Sequence, residues 1–426
     1  MMQRADAGSH GRNRWQRRGL VAALCIMVVG IALTWRPVIA PIDPPPHTAF
    51  APGLVAQGAA LAAIGDCAVC HTTSHGQPFA GGYGLATPFG TIYSTNITPD
   101  AQTGIGAWSE AAFRRAMRRG IDRIGRHLYP ALPYTHFTRA TDQDIAALYA
   151  FLMTRAPVRS VTPPNALPFP VNVRATLAGW KLLFFRPGPW RPDPAQSAQW
   201  NRGAYLVEAV GHCAACHTPR NALGAERTTH PFEGGEAEGW DAPALGAASP
   251  AQEPWTADAL YTYLRTGFEA RHGAAAGPMA PVTHELAAVP DADVRAIAVY
   301  IAAMAPQTPT STPPHPASDA AGDAVFAGAC GSCHGADAPM TRGGAPSLAL
   351  SSAINAPTAR DAVQMILHGI PWREGVAGPY MPGFADTLSD RQIADLVHTL
   401  RSRFSSKPAW PDAEPLVRSA RKDGGV

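Results

Sequence analysis

Three Cys-x-x-Cys-His runs carry the clearest chemistry in this chain: Cys67–Cys70–His71, Cys213–Cys216–His217 and Cys330–Cys333–His334. Two thiols at this spacing can add across the vinyl groups of a haem, and the adjacent imidazole can take the iron as its proximal ligand. A tetrahedral zinc site needs four ligands, usually two such pairs close together, whereas these pairs are widely separated and each is followed by His. A dithiol redox motif does not require that His. The repetition therefore predicts three covalently bound haem c groups and electron transfer. Six of the seven cysteines are spent on attachment; the seventh, Cys25, lies in an apolar run, and none is left for a structural disulfide.

A sixth ligand should face each proximal His. Downstream of every motif the same helix signals recur: Trp108–Ser109 to Gly120, Trp255–Thr256 to Gly267, Pro357–Thr358 to Gly369. Ser or Thr caps the free N–H groups and Gly provides the left-handed residue that ends a helix. Trp108 with Phe113 and Trp255 with Leu260 read as hydrophobic staples. Twelve residues beyond the Gly stands Met279 in the second copy and Met381 in the third, each in a proline-flanked loop. These are the predicted thioether ligands. The first copy has Leu132 there, which cannot bind iron. The nearest strong donor is His136, predicting a His71/His136 haem, with Met117, Met153, His127 or an open iron as the alternatives. Met ligation raises a haem potential and a second His lowers it, so the first haem is expected to be the lowest of the three.

The elements that must hold these ligands are helical. A short helix before each motif (201–211 in the second copy) and a closing amphipathic helix (141–153, 291–304, 389–404) complete each unit. Ser389 with Gln392 forms a capping box and Thr141 with Asp144 a near relative. The fold class is all-α: three tandem class I cytochrome c domains after an N-terminal transmembrane anchor. The expected boundaries are 1–46 basic segment and anchor, 47–156 first domain, 157–197 linker, 198–306 second domain, 307–318 Pro-rich spacer, 319–405 third domain and 406–426 tail.

Composition agrees. A formal net charge of +3 offers no case for nucleic acid. High Pro and Gly suit small loop-rich domains whose cofactors fill much of the core. Arg12, Arg14, Arg17 and Arg18 precede the apolar run 19–35, long enough to span a bilayer; the Arg cluster puts the N-terminus inside and the haem domains in the periplasm. A cleaved signal peptide is the alternative. Within the first linker, 178–185 is an apolar cluster that would pack between domains, dock a partner or lie on a membrane.

Residues 88–100, His217–Thr218–Pro219–Arg220–Asn221 and Met381–Pro382–Gly383–Phe384, with the three motifs, resemble the triple-haem cytochrome c subunits of membrane-bound periplasmic dehydrogenases, the type found with alcohol, gluconate and aldehyde dehydrogenases of acetic-acid bacteria. The resemblance implies a non-catalytic subunit that takes electrons from a catalytic dehydrogenase subunit and passes them to ubiquinone or a downstream oxidase. Tyr134–Thr135–His136–Phe137 is more similar to cytochromes that accompany molybdopterin and iron–sulfur hydroxylases of aldehydes or N-heterocycles. An aldehyde dehydrogenase is therefore the favoured partner, and a quinoprotein or flavoprotein alcohol, polyol or gluconate dehydrogenase the runner-up. Two other classes are a multihaem peroxidase-like enzyme, which needs one open iron, and a free-standing carrier.

Overall fold

The computed structural model describes residues 34–305, 320–338, 347–371 and 380–423, with isolated positions before residue 34. The run 19–35 and the spacer 307–318 fall almost wholly outside these residues. Among the described residues no helix is long and apolar enough to cross a membrane.

The same helical plan is laid down three times. In the first repeat, α1 (Pro52–Ile64) leads into the haem motif, α2 (Glu110–Arg119) and the short α3 (Tyr134–Phe137) follow, and α4 (Asp142–Met153) closes. After the linker helix α5 (Thr176–Phe184), the second repeat has α6 (Ala198–Tyr205), α7 (Ala257–Thr266), α8 (Met279–Leu286) and α9 (Asp291–Met304). The third has α10 (Ala320–Val325), α11 (Arg360–His368) and α12 (Asp390–Phe404), and α13 (Glu414–Asp423) follows. Both α6 and α10 widen into a π-helical turn, Leu206–Val210 and Phe326–Cys330, just as they reach their motifs.

Entry and closing helices cross at one small residue in every repeat. A Cβ on Gly58 would overlap the Ala147 carbonyl of α4, and one on Gly203 the Ala296 carbonyl of α9. On Gly322 it would overlap Thr399 and the Asp395 carbonyl of α12. At each of these glycines the entry helix packs backbone to backbone on the closing helix.

The capping signals act largely as their sequence implies. Ser109 accepts from Ala112 N and Thr256 from Ala259 N, while Gly120 (φ 57°) and Gly267 (φ 73°) end α2 and α7 in the left-handed region. Ser389 and Gln392 form the full capping box. Two details differ. The third copy starts later, at Arg360, with Thr358 Oγ1 accepting from Arg360 N at 3.2 Å. Thr141 caps α4, but Asp144 does not return to it; its carboxylate accepts from Gln57 Nε2 at 2.6 Å and from the Tyr205 hydroxyl.

The helical expectation holds for the bulk of the chain; among the described residues three short two-stranded antiparallel hairpins lie beside the helices. These are β1 (Gly84–Thr87) with β2 (Gly90–Tyr93), β3 (Gly235–Ala237) with β4 (Trp240–Ala242), and β5 (Phe268–Glu269) with β6 (Gly273–Ala274). Strands of two to four residues are too short to show an alternating pattern.

One continuous apolar core runs through the first two repeats. Leu61, Ile64, Ile145 and Leu148 share it with Leu206, Val207, Val210 and Ile297. The third repeat has its own core around Phe326, Val363, Leu367, Ile393 and Leu396, closed by Trp410 and Val417 from the C-terminal segment. Its contact with the second repeat is polar. Arg360 pairs with Asp241 at 3.0 Å and Glu236 at 3.1 Å, and Gln364 Nε2 donates to Gly239 O at 2.8 Å.

The linker is not a free spacer. Lys181 of α5 is buried and its Nζ donates to Arg119 O at 2.7 Å and Gly120 O at 2.6 Å, satisfying carbonyls at the end of α2. Trp180 Nε1 donates to Leu223 O at 2.9 Å, so α5 touches both repeats that it connects.

Candidate haem sites

Each motif forms a single helical turn, which puts its two Cys on one side and its His at the end. His71 Nδ1 sits 2.6 Å from Thr95 O, and His217 Nδ1 2.7 Å from Pro243 O. A carbonyl can only accept, so both rings carry the proton on Nδ1 and offer the Nε2 lone pair. That is the tautomer an iron requires, with the second-shell bond that fixes the ring. Burial also lowers the pKa of His71, His217 and His334, keeping them uncharged.

All six motif cysteines are free. Burial pushes the Cys67, Cys70 and Cys213 thiols up to about 12 and the Cys216 and Cys330 thiols to about 11. Uncharged thiols in apolar surroundings suit conversion to thioethers, and they disfavour the thiolates of a metal or dithiol site. No group of three His, Cys, Asp or Glu able to hold a metal ion occurs among the described residues.

A cavity of about 470 Å³ is lined by Cys213, Cys216, His217 and Met279 of the second repeat together with Cys330, Cys333, His334 and Met381 of the third. Both predicted thioethers thus share a cavity with their predicted proximal imidazoles. Leu206, Leu260, Leu264 and Ile297 provide apolar wall. The donor set, two thiols, an imidazole and a thioether inside an apolar shell, fits haem c. Met279 is the first residue of α8 and packs on the shared core. Met381 is held by a reciprocal backbone pair with Ile370, at 2.8 and 3.0 Å.

The first repeat is different. Leu132 packs against the shared core, and Met117 and Met153 are buried within it. His127 Nε2 lies 3.3 Å from Thr34 O. His136 is 6% exposed and sits in the joint with the second repeat. Its Nδ1 is 2.9 Å from Glu208 O and its Nε2 2.8 Å from Glu226 Oε1. Both partners are acceptors, so both ring nitrogens are engaged by the second repeat. Burial alone would raise the Glu226 pKa, but His136 and Arg220 hold it below the usual range. Iron ligation through Nε2 would exchange Glu226 for the metal.

Two residues that sequence reasoning passed over stand beside the first two motifs. Asp66 (φ 48°) and His212 (φ 39°) immediately precede Cys67 and Cys213, both in the left-handed region. His212 Nε2 lies 3.2 Å from Gly65 O, so the two motifs meet back to back. Asp66 lines the cavity of the second motif, and its Oδ1 is buried without a hydrogen-bond partner. Burial, reinforced by Glu285, pushes its pKa up to about 7. Their common offset from the first Cys was visible in the sequence; that they would meet was not.

Comparison with known proteins agrees with this architecture. The cytochrome c family model matches residues 55–156, and that of cytochrome c oxidase, cbb3-type, subunit III matches 198–301 and 317–398. A nicotinate dehydrogenase subunit of Pseudomonas putida is 47% identical over 97% of this chain, which spans only 36% of that protein's length. The fructose dehydrogenase cytochrome subunit of Gluconobacter japonicus is 35% identical, over 90% of this chain and 86% of its own. The gluconate 2-dehydrogenase cytochrome c subunit of Pantoea cypripedii is 34% identical over 88% and 90% respectively.

Proposed function

The chain belongs to the cytochrome c subunits of dehydrogenase complexes, and from that premise we propose a three-haem relay that takes electrons from a catalytic dehydrogenase and delivers them to ubiquinone or a downstream oxidase. Cytochrome c domains hold haem c covalently; here Cys67/Cys70, Cys213/Cys216 and Cys330/Cys333 would each attach one, in domains 47–156, 198–306 and 319–405. The haem supplies a one-electron iron couple. His71, His217 and His334 would each supply an imidazole nitrogen to the iron, with Thr95 O and Pro243 O orienting the first two. Met279 and Met381 would supply thioethers. His136 is the proposed distal donor of the first haem, with Glu208 O holding its Nδ1 once Nε2 leaves Glu226. The run 19–35 anchors the chain in the inner membrane with the haem domains in the periplasm.

The observation that carries this reading is the placement of Met279 and Met381 in one cavity with His217 and His334. Six-coordinate irons in apolar pockets transfer electrons; they do not activate ligands. For the partner, a molybdopterin and iron–sulfur hydroxylase of aldehydes or N-heterocycles is favoured. The 47% identity to part of a nicotinate dehydrogenase supports it. The fructose and gluconate relatives favour a flavoprotein or quinoprotein sugar or alcohol dehydrogenase as the second reading.

Purification of the intact complex, haem quantification and identification of the co-purifying subunits form the test. Three haems per chain with a molybdopterin subunit is the expected outcome. Two haems, or a high-spin haem that binds carbon monoxide and turns over peroxide, would overturn the relay.

A further inference from the structure

We propose that α5 and the neighbouring loop 121–126 rest on a lipid bilayer, with Leu182 and Leu183 inserted at headgroup depth. This rests on the reading of 19–35 as a membrane anchor.

The place where the chain leaves that run is fixed against the first repeat. Ile39 N donates to Arg123 O at 2.9 Å, and Arg115 donates to Pro37 O at 2.6 Å and, through its other terminal nitrogen, to Asp122 O at 2.6 Å. The segment that follows this loop is stitched to the linker: Arg174 donates to His127 O at 2.9 Å and Tyr129 Oη to Val171 O at 2.8 Å. Lys181 binds the carbonyls at the end of α2 and lies within electrostatic reach of Arg36. The anchor's exit, the loop and α5 therefore form one surface.

That surface is where the molecule shows its apolar side chains to the outside. Trp35 is 68% exposed, Ile124 44%, Phe169 81%, Leu182 64% and Leu183 59%. Apart from Tyr380, every exposed large apolar residue described beyond the anchor run lies on 34–42, on 121–126 or on 157–185, or is Leu223, which binds Trp180. Helix α5 is two-faced: Leu177, Ala178 and Lys181 are buried against the protein, and Leu182 and Leu183 are left outside. Exposed apolar side chains gathered on connected segments mark a contact site.

Charge selects the occupant. Apart from the buried Lys181, residues 157–192 contain four basic side chains (Arg159, Arg174, Arg186 and Arg191) and no Asp or Glu. A basic, apolar-faced segment beside an anchor's exit fits an anionic lipid surface. The bilayer that holds the anchor is already at this side of the molecule, so docking requires no further encounter.

The test uses full-length protein in phosphatidylethanolamine–phosphatidylglycerol vesicles. Spin labels are placed at Leu183→Cys and, for comparison, Thr262→Cys on the exposed side of α7, each with Cys25→Ser. Oxygen accessibility should rise at 183 and accessibility to a water-soluble nickel chelate should fall several-fold, with no such change at 262. Equal nickel accessibility at both sites overturns the proposal, as does protection at 183 that appears only when the catalytic subunit is added. An alkaline carbonate wash separates the two readings. Release of the protein from the vesicles refutes the anchor, whereas a retained protein with a water-exposed label at 183 refutes only the docking of α5.

Discussion

Replacing Asp66 by Asn should stabilise the joint between the first two repeats at neutral and alkaline pH and leave it unchanged in acid. The carboxyl is 9% exposed, with one oxygen unpartnered. Its pKa is raised from 3.8 to about 7 in the folded chain, first by burial and then by Glu285. Because the folded value lies above the unfolded one, the stability tied to the neutral carboxyl is fully present below 3.8. It declines as pH rises and is lost once pH passes the folded value of about 7. At about 1.36 kcal/mol per pH unit between the two values, the loss amounts to about 4 kcal/mol. Asn preserves the shape, tolerates the left-handed backbone and never ionises. Thermal unfolding of the haem-loaded protein, followed by Soret absorbance, should therefore show no difference near about pH 4. At about pH 8 the variant's Tm should be higher by roughly 10 °C for a unit of this size. An equal Tm change at both pH values, or a lower Tm at the alkaline one, would refute the reasoning.

Other consequences are open to direct measurement. Gly203→Ala drives a methyl into the Ala296 carbonyl and should cost about 2 kcal/mol; Gly179→Ala, with nothing within 4 Å, should gain about 0.5 kcal/mol, both read by denaturant titration. Met381→Leu should turn the third haem high-spin and able to bind carbon monoxide. An unchanged low-spin spectrum would remove Met381 from the iron. Glu226→Gln removes the carboxylate that competes for His136 Nε2, so the low-spin fraction of the first haem, read from its absorption spectrum, should rise. If His136→Leu leaves that haem's spectrum untouched, His136 is not its ligand.

The motifs were legible because covalent chemistry tolerates no substitute at Cys or His. The caps of α2 and α7 were legible because Ser109, Thr256, Gly120 and Gly267 act within a single turn, where spacing alone decides the partner. Asp144 escaped for the opposite reason: its partners, Gln57 and Tyr205, are 87 and 61 residues away. The hairpins were too short to leave a pattern, and α13 carries no haem signal. Gly58, Gly203 and Gly322 stood in plain view, each eight to ten residues before its first Cys. Their shared role emerges only when the closing helix is laid across them. For His136 the sequence supplied the donor, and only the fold showed that Glu208 and Glu226 already engage both its nitrogens.

The two joints between repeats differ in kind, and this bears on rate. The first is built on a shared apolar core, with the His136–Glu226 and Arg139–Glu208 pairs beside it, and apolar packing is little weakened by dissolved ions. The second depends on Arg360 between Asp241 and Glu236, charges partly open to solvent and screened over about 8 Å at physiological ionic strength. Electron tunnelling falls steeply with distance, so loosening the second joint lengthens the step between the second and third centres and leaves the step between the first two as it was. Salt should thus throttle one gap of the proposed relay, and stopped-flow reduction at rising ionic strength should find electrons accumulating on the first pair.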